Sequence, residues 1–278
     1  MFTNDKITEI FFVVHEFCNE FSEAMTGHVL IKDNGKKSRN RSFKLHDSEV
    51  ITILILFHAG QFRNLKHFYT QYVQTHLTSE FPKTVSYNRF VELQSKVAMP
   101  LVVFLKTCCL GKCTGISIID STPIRACHIR REKQNINDKG EILDFMLTQG
   151  NVDDREPLKN KSFHKKIFGK LFGDKGYISQ ILFEQLFIDG IHLITKIRKN
   201  MKNSLMQIKN KIILRKRALI ETVNDELKNM CQVEHTRHRG FNNFITNLLS
   251  GLIAYSFFPK KPSLNIEIID NKALRKIA

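Results

Sequence analysis

From residue 6 to 25, apolar side chains recur every three to four positions, which predicts an amphipathic helix. Asp47-Ser48-Glu49 then provides a helix start, and the run Val50-Ile-Thr-Ile-Leu-Ile-Leu-Phe57 continues it to a stop near Gly60. That run is apolar nearly all round, so the helix is expected to be buried. Helical periodicity returns over residues 65–77 and 86–110, the second stretch with a break expected at Pro100. The segment Tyr87-Asn88-Arg89-Phe90 opens either a DNA-contacting helix or an ordinary one. At Gly115 the pattern changes. Gly115–Ser121 reads as a buried strand, and residues 141–150 read as another, preceded by the turn Asn137-Asp138-Lys139-Gly140. Short strands are expected at residues 171–174 and 191–197. Helices are expected at 153–168, 178–187, 214–231 and 242–257. The alternation predicts an α/β fold: a mixed sheet with helices on its faces, preceded by an all-helical N-terminal region. Residues 240–259 are uncharged and long enough to span a bilayer, but Asn242, Asn243, Asn247 and Ser250 interrupt them. Their helical period favours a helix packed on a core, so no membrane partner is expected.

Charge adds a partner to this picture. The 278 residues hold 43 Lys+Arg against 27 Asp+Glu, a formal charge of +16, which favours a polyanion such as DNA or RNA. The cations cluster. One early run contains Lys36, Lys37, Arg39, Arg41 and Lys44; a longer tract contains Arg198, Lys199, Lys202, Lys209, Lys211, Arg215, Lys216 and Arg217, with no acid between Thr195 and Ile220. The second tract leads into the helix that carries Glu221, so it is read as tracking phosphates. Six cysteines form no regular framework, and free thiols in a reducing compartment are expected. The groupings Cys108-Cys109-x3-Cys113 with Cys127-His128, and His235-x2-His238, lack the paired knuckles of structural zinc sites.

Three acids occupy positions that suit metal-dependent chemistry. Asp120 ends one apolar run, Asp174 ends another, and Glu221 lies on a helix at the margin of the stripe Ile220, Val223, Leu227 and Met230. Oxygen donors of this kind are what hard divalent cations take. Two such ions can activate an attacking oxygen and stabilise a leaving one on a phosphodiester. Asp120 suits a bridging position, with Asp174 and Glu221 each closing one ion. Taken singly, each acid has an ordinary structural explanation, such as an i,i+4 ion pair on a surface helix.

The motifs around these acids resemble the DDE-type transposases of bacterial insertion sequences, whose catalytic core is RNase H-like. Ile-Ile-Asp120-Ser-Thr-Pro is similar to the family's first Asp strand, Phe-Gly-Asp174-Lys-Gly-Tyr to its Asp-x-Gly-Tyr setting, and Arg217-x3-Glu221-x2-Asn224-x3-Lys228 to its Glu helix. The resemblance implies Asp120, Asp174 and Glu221 as catalytic metal ligands for two Mg²⁺ or Mn²⁺ ions, with Arg217 and Lys228 contacting DNA. It also implies cleavage and strand transfer at the element's terminal inverted repeats and into target double-stranded DNA. A homodimer in a synaptic complex and a bacterial cytoplasmic, nucleoid-associated location go with it. The expected organisation is a helical region over residues 1–112 that binds DNA ends, a catalytic domain over 113–260, and a tail over 261–278. One departure stands out. Between Asp120 and the third strand the family has an apolar second strand, whereas this chain has His128-Ile-Arg-Arg-Glu-Lys-Gln-Asn-Ile136. Such a polar stretch is a poor central strand. A truncated second strand is therefore expected from an internal deletion near 128–137, and with it a decayed copy that only binds DNA becomes the alternative reading.

Overall fold

The computed structural model describes residues 3–26, 44–125, 129–196, 206–235 and 240–265. The chain divides into two compact units. One comprises residues 1–109, 125–128 and 225–258, and the other comprises residues 110–124, 129–224 and 259–278.

The first unit is helical among its described residues. Its first helix, Asn4–Met25, starts where the Thr3 side chain accepts from the Lys6 amide and buries the stripe Ile7, Ile10, Val14 and Phe17. The Asp47–Ala59 helix is enclosed on all sides, as its unbroken apolar run requires, and is capped by a Glu49 carboxylate that accepts from the His46 amide at 2.7 Å. The Phe241–Ser256 helix packs against it. Gly251 permits that helix to lie close to its neighbours, because a Cβ there would come within 2.4 Å of a Val233 methyl. The break between helices Tyr87–Lys96 and Ala98–Phe104 falls at Val97, not at Pro100. Pro100 sits in the first turn of the second helix, where its missing N–H leaves no bond unmade.

The second unit is built on a five-stranded sheet. The strands are β1 (Ile116–Arg125), β2 (Ile129–Asn137), β3 (Ile142–Gln149), β4 (Gly169–Gly173) and β5 (Ile191–Thr195), in the order β3-β2-β1-β4-β5. β2 and β3 are antiparallel; β1, β4 and β5 run parallel. This is the mixed sheet with flanking helices that the sequence predicts. Its hydrophobic core joins Ile119 of β1, Leu143 of β3, Leu171 of β4, and Ile191 and Leu193 of β5 to the helix residues Leu182 and Leu186.

The expectation of a truncated second strand is overturned. β2 is nine residues long and pairs with β3 from Arg130↔Gln149 to Ile136↔Ile142, with one irregularity between Asn135 and Ile136. Tertiary partners bond several of its buried polar groups, although Gln134 Oε1 and Asn135 Oδ1 find none among the described residues. Lys133, with no side-chain exposure, donates to the carbonyls of Val152 (3.2 Å) and Asp153 and lies 3.5 Å from an Asp154 carboxylate oxygen. Arg131 reaches the same carboxylate at 2.9 Å. The Gln134 amide donates to the side chain of Asn224. Asn137 closes the β2–β3 turn through Oδ1, which accepts from the amides of Lys139 and Glu141. Strand preference depends on how a residue's neighbours receive it, and here they receive polar groups.

The helix expected over residues 153–168 is also shorter than its pattern. It is two single turns, Glu156–Lys159 and Lys161–His164, separated by Asn160, whose side chain accepts from the Ser162 amide at 3.0 Å and so starts a new turn.

Candidate active site

The candidate site begins with register. β1 pairs with β4 at Ile116↔Lys170, Ser117↔Leu171 and Ile118↔Phe172, a constant offset of 54 residues (170 − 116). Asp120 and Asp174 have the same offset (174 − 120); they lie two residues beyond the last paired positions, with Asp174 just past the end of β4. In-register residues of parallel strands share a face. The spacing that singled out these acids in the sequence is therefore the register of the sheet.

The Gly173-Asp174-Lys175-Gly176-Tyr177 segment then fixes the second acid. Asp174 caps a single 3₁₀ turn, Lys175–Tyr177, its Oδ1 accepting from the Gly176 amide at 2.7 Å. A Cβ on Gly176 would lie 2.9 Å from that same oxygen, and a Cβ on Gly173 would lie 3.1 Å from the Tyr177 ring. The two glycines thus leave room for the acid and for the aromatic ring, and the ring is buried in the sheet core. The Tyr177 hydroxyl is buried with no hydrogen-bond partner among the described residues. Burial, then the charges of Asp120, Asp154 and Asp174, push its phenol above the ordinary range.

The third acid comes from the helix after the basic tract. The helix runs Ile208–Arg215, tightens through Lys216–Ala218 and continues as Leu219–Asp225. Leu219, Ile220, Val223 and Asn224 are buried, which leaves Glu221 exposed at the margin of the buried stripe. Arg217, one turn earlier, donates to Glu221 Oε1 at 2.9 Å through Nη2, while its Nη1 lies 3.7 Å from Asp120 Oδ1. One guanidinium therefore sits between two of the three acids.

Asp120 is the buried member of the set, with 22% of its side chain exposed. Burial pushes its carboxyl up from the ordinary 3.8 to about 6; the Ser121 amide and Arg217 pull it down, while Glu221 and Asp174 push it further up. Both other acids thus act on Asp120 through their charge. No three His, Cys, Asp or Glu side chains among the described residues converge closely enough to hold an ion as they stand. The donor set is nevertheless three carboxylates, which matches a hard divalent cation, and Arg217 supplies positive charge in the same place.

Among the expected DNA-contacting residues, Arg215 and Lys216 are exposed, and Lys216 Nζ donates to the Leu264 carbonyl at 3.4 Å. Arg217 is turned to the acids. Lys228 belongs to the first unit, where its Nζ lies 3.4 Å from Glu234. Lys36, Lys37, Arg39, Arg41, Arg198, Lys199 and Lys202 lie outside the described residues, as do Cys127, His128 and His238. Cys18, Cys108, Cys109, Cys113 and Cys231 are free thiols. At the other end of the helical unit, Ser86 caps the Tyr87–Lys96 helix, and Phe90 stacks on Tyr69 at 4.3 Å. The sequence reading missed two features. Tyr177's orphaned hydroxyl has no signal beyond the Asp-Lys-Gly-Tyr motif, and the buried Lys133–Asp154 pair joins residues too far apart in sequence to be matched by pattern.

Residues 133–241 match the family described as a transposase DDE domain, a segment that contains Asp174 and Glu221 and begins after Asp120. No curated protein matches the chain. A chain of the solved structure of a simian T-cell lymphotropic virus intasome in complex with the PP2A regulatory subunit B56 gamma is similar over 73% of this chain and 79% of its own length, at 11% identity and a TM-score of 0.32. Residues 133–241 are thus similar to a transposase DDE domain, and they span β3, β4 and β5 of the five-stranded sheet.

Proposed function

We propose that the protein is a transposase that cuts DNA at the terminal inverted repeats of its own insertion sequence and joins the freed 3′-hydroxyl to target DNA. The observation that carries this reading is that Glu221 and Asp174 both act through their charge on the Asp120 carboxyl, from strand ends and a helix brought together by the fold. Asp120, Asp174 and Glu221 would hold two Mg²⁺ or Mn²⁺ ions. Bound there, the ions would lower the charge barrier to attack on the phosphodiester and stabilise the departing oxygen. The residues contribute the rest. Asp120, partly withdrawn from water, offers a carboxylate whose charge is poorly solvated and so favours a cation. The Gly176 amide holds Asp174 in one orientation. Arg217 balances Asp120 and Glu221, and its guanidinium could donate to a DNA phosphate at the same place.

Residues 1–112 are assigned to DNA-end recognition, 113–260 to catalysis and 261–278 to a tail. The working form is a homodimer that pairs two ends in the bacterial cytoplasm, at the nucleoid. No helix among the described residues is long and apolar enough to cross a membrane. The alternative of a decayed, DNA-binding-only copy rested on a missing second strand, and the full β2–β3 ladder removes that ground.

A strand-joining assay tests the reading. Labelled duplexes carrying the gene's flanking repeats are incubated with the protein, Mg²⁺ or Mn²⁺, and a plasmid. Joining is expected with the wild type and lost with Asp174→Asn and with Glu221→Gln. Binding of the repeats without joining in either metal would leave the decayed copy standing; joining that survives both substitutions would refute the assignment of the acids.

A further inference from the structure

The Ile208–Arg215 helix presents a face that packing does not explain. Asn210, Ile213 and Leu214 point inward and are buried. Ile208 and Ile212 point outward, with 76% and 48% of their surface exposed. With successive residues about 100° apart round a helix, Ile208 and Ile212 lie within about 40° of each other, and Arg215 falls beside them. Lys211 lies about 60° to one side of Ile208, and Lys209 about 100° to the other. The outer face is thus an apolar centre line flanked by cations on both sides. Lys209, Lys211 and Arg215 form no ion pair among the described residues, and the chain carries no Asp or Glu from residue 190 to 220. The face is also held in place: the buried Asn210 side chain accepts from Lys170 Nζ on β4 at 2.8 Å, so the helix cannot roll to hide its isoleucines.

We infer that this helix is the element that seats duplex DNA, with Ile208 and Ile212 against the floor of a groove and Lys209, Lys211 and Arg215 on the phosphates at its rims. Charge complementarity selects the occupant. Lys211 and Arg215 on one side of the apolar line and Lys209 on the other match a groove walled by two phosphate strands, and a major groove about 12 Å wide admits one helix. Two exposed isoleucines on an eight-residue helix are a small apolar face for a membrane surface, which needs a broad one. Apolar side chains can contact thymine methyl groups or sugars there without demanding a particular sequence. The inference rests on the transposase reading for its choice of duplex, but its own content is the location of the contact. The same chain direction leads from this helix through Lys216–Ala218 to the turn bearing Glu221. A duplex seated here is therefore tied to the acid-bearing helix by continuous backbone.

The test separates charge from apolar contact. Binding of a fluorescent random-sequence duplex to the full chain is followed by anisotropy over a range of KCl concentrations. Lys211→Gln/Arg215→Gln is expected to weaken binding and to flatten the plot of log K against log[KCl] by about 1.8, or about 0.9 per lost phosphate contact. Ile208→Ser/Ile212→Ser is expected to weaken binding roughly tenfold with the slope unchanged, since it removes apolar area and no charge. Lys139→Gln, on the exposed β2–β3 turn, serves as the charge control and is expected to leave the slope as it is. Unaltered affinity in the isoleucine variant, with its fold checked by thermal melting, overturns the inference. So does a variant that keeps DNA binding but loses anionic vesicles or the dimer, which would give the face to a membrane or to a second copy. Joining by the wild type with no isoleucine effect would sink this inference alone. Salt-sensitive binding with the predicted isoleucine effect but no joining would sink the transposase reading alone.

Discussion

Replacing Asp120 by Asn should make the metal-free protein more stable at pH 8. The carboxyl is raised in the fold from the ordinary 3.8 to about 6, first because it is buried and then because Glu221 and Asp174 face it. A raised acid pKa means that folding favours the neutral form. Stability is therefore highest below the unfolded value, falls as pH rises from 3.8 towards 6, and carries the full penalty above that range. A difference of about two units corresponds to about 3 kcal/mol, an upper value because the side chain keeps some contact with water. Asn has the same shape and no charge to desolvate, so most of that penalty should vanish in the variant. Urea denaturation in EDTA at pH 4, 6 and 8 measures it. The stability gap between variant and wild type should be near zero at pH 4, open through pH 6 and reach a plateau of about 1–3 kcal/mol by pH 8. Millimolar Mn²⁺ should then raise the wild type and leave the variant unchanged, closing or reversing the gap. A variant no more stable than wild type at pH 8, or a gap independent of pH, would refute the claim that this acid is held at the expense of the fold.

Two further substitutions probe the support around the site. Lys133→Ala removes a fully buried ammonium from two loop carbonyls and the Asp154 carboxylate and should cost about 3 kcal/mol in urea denaturation; Lys133→Met, which keeps the stem, should cost less, and a loss below about 1 kcal/mol for Ala would show the lysine to be incidental. Tyr177→Phe deletes a buried hydroxyl that has no partner among the described residues, so it should raise stability by about 1 kcal/mol while strand joining persists; a stabler variant that no longer joins would move the hydroxyl into the chemistry.

The acids were legible because their surroundings obey simple periodicities. Asp120 and Asp174 terminate apolar runs, and their separation equals the β1–β4 register. Glu221 could be placed from the helix stripe because Ile220 and Val223 are in fact buried. What periodicity could not supply is the fate of polar residues whose partners come from far along the chain. β2 looked unfit for a sheet because nothing near it in sequence accounts for Lys133 or Gln134; their partners are residues 152–154 and Asn224. Lys228 continues the polar stripe of Arg217, Glu221 and Asn224 on paper. Asn224 is instead buried against Gln134, and Lys228 pairs with Glu234 in the other unit, so the stripe does not persist as one surface. The DNA contact expected of Arg217 came from the resemblance of its helix to the family's Glu helix; in the structure its guanidinium lies beside Asp120 and Glu221.

The 54-residue offset between β1 and β4 also sets when the site can exist. Neither acid has its neighbour until the chain between them has closed, which costs on the order of 3.5 kcal/mol in loop entropy before β2, β3 and the short helical turns shorten the loop. Pairing of β1 with β4 must therefore wait until the residues between them have been made, and Glu221 follows both in the chain. A partly synthesised or partly folded chain holds the carboxylates apart. The DNA cleavage proposed for this site would then be unavailable until the sheet is complete, and the delay is written into the order of the strands.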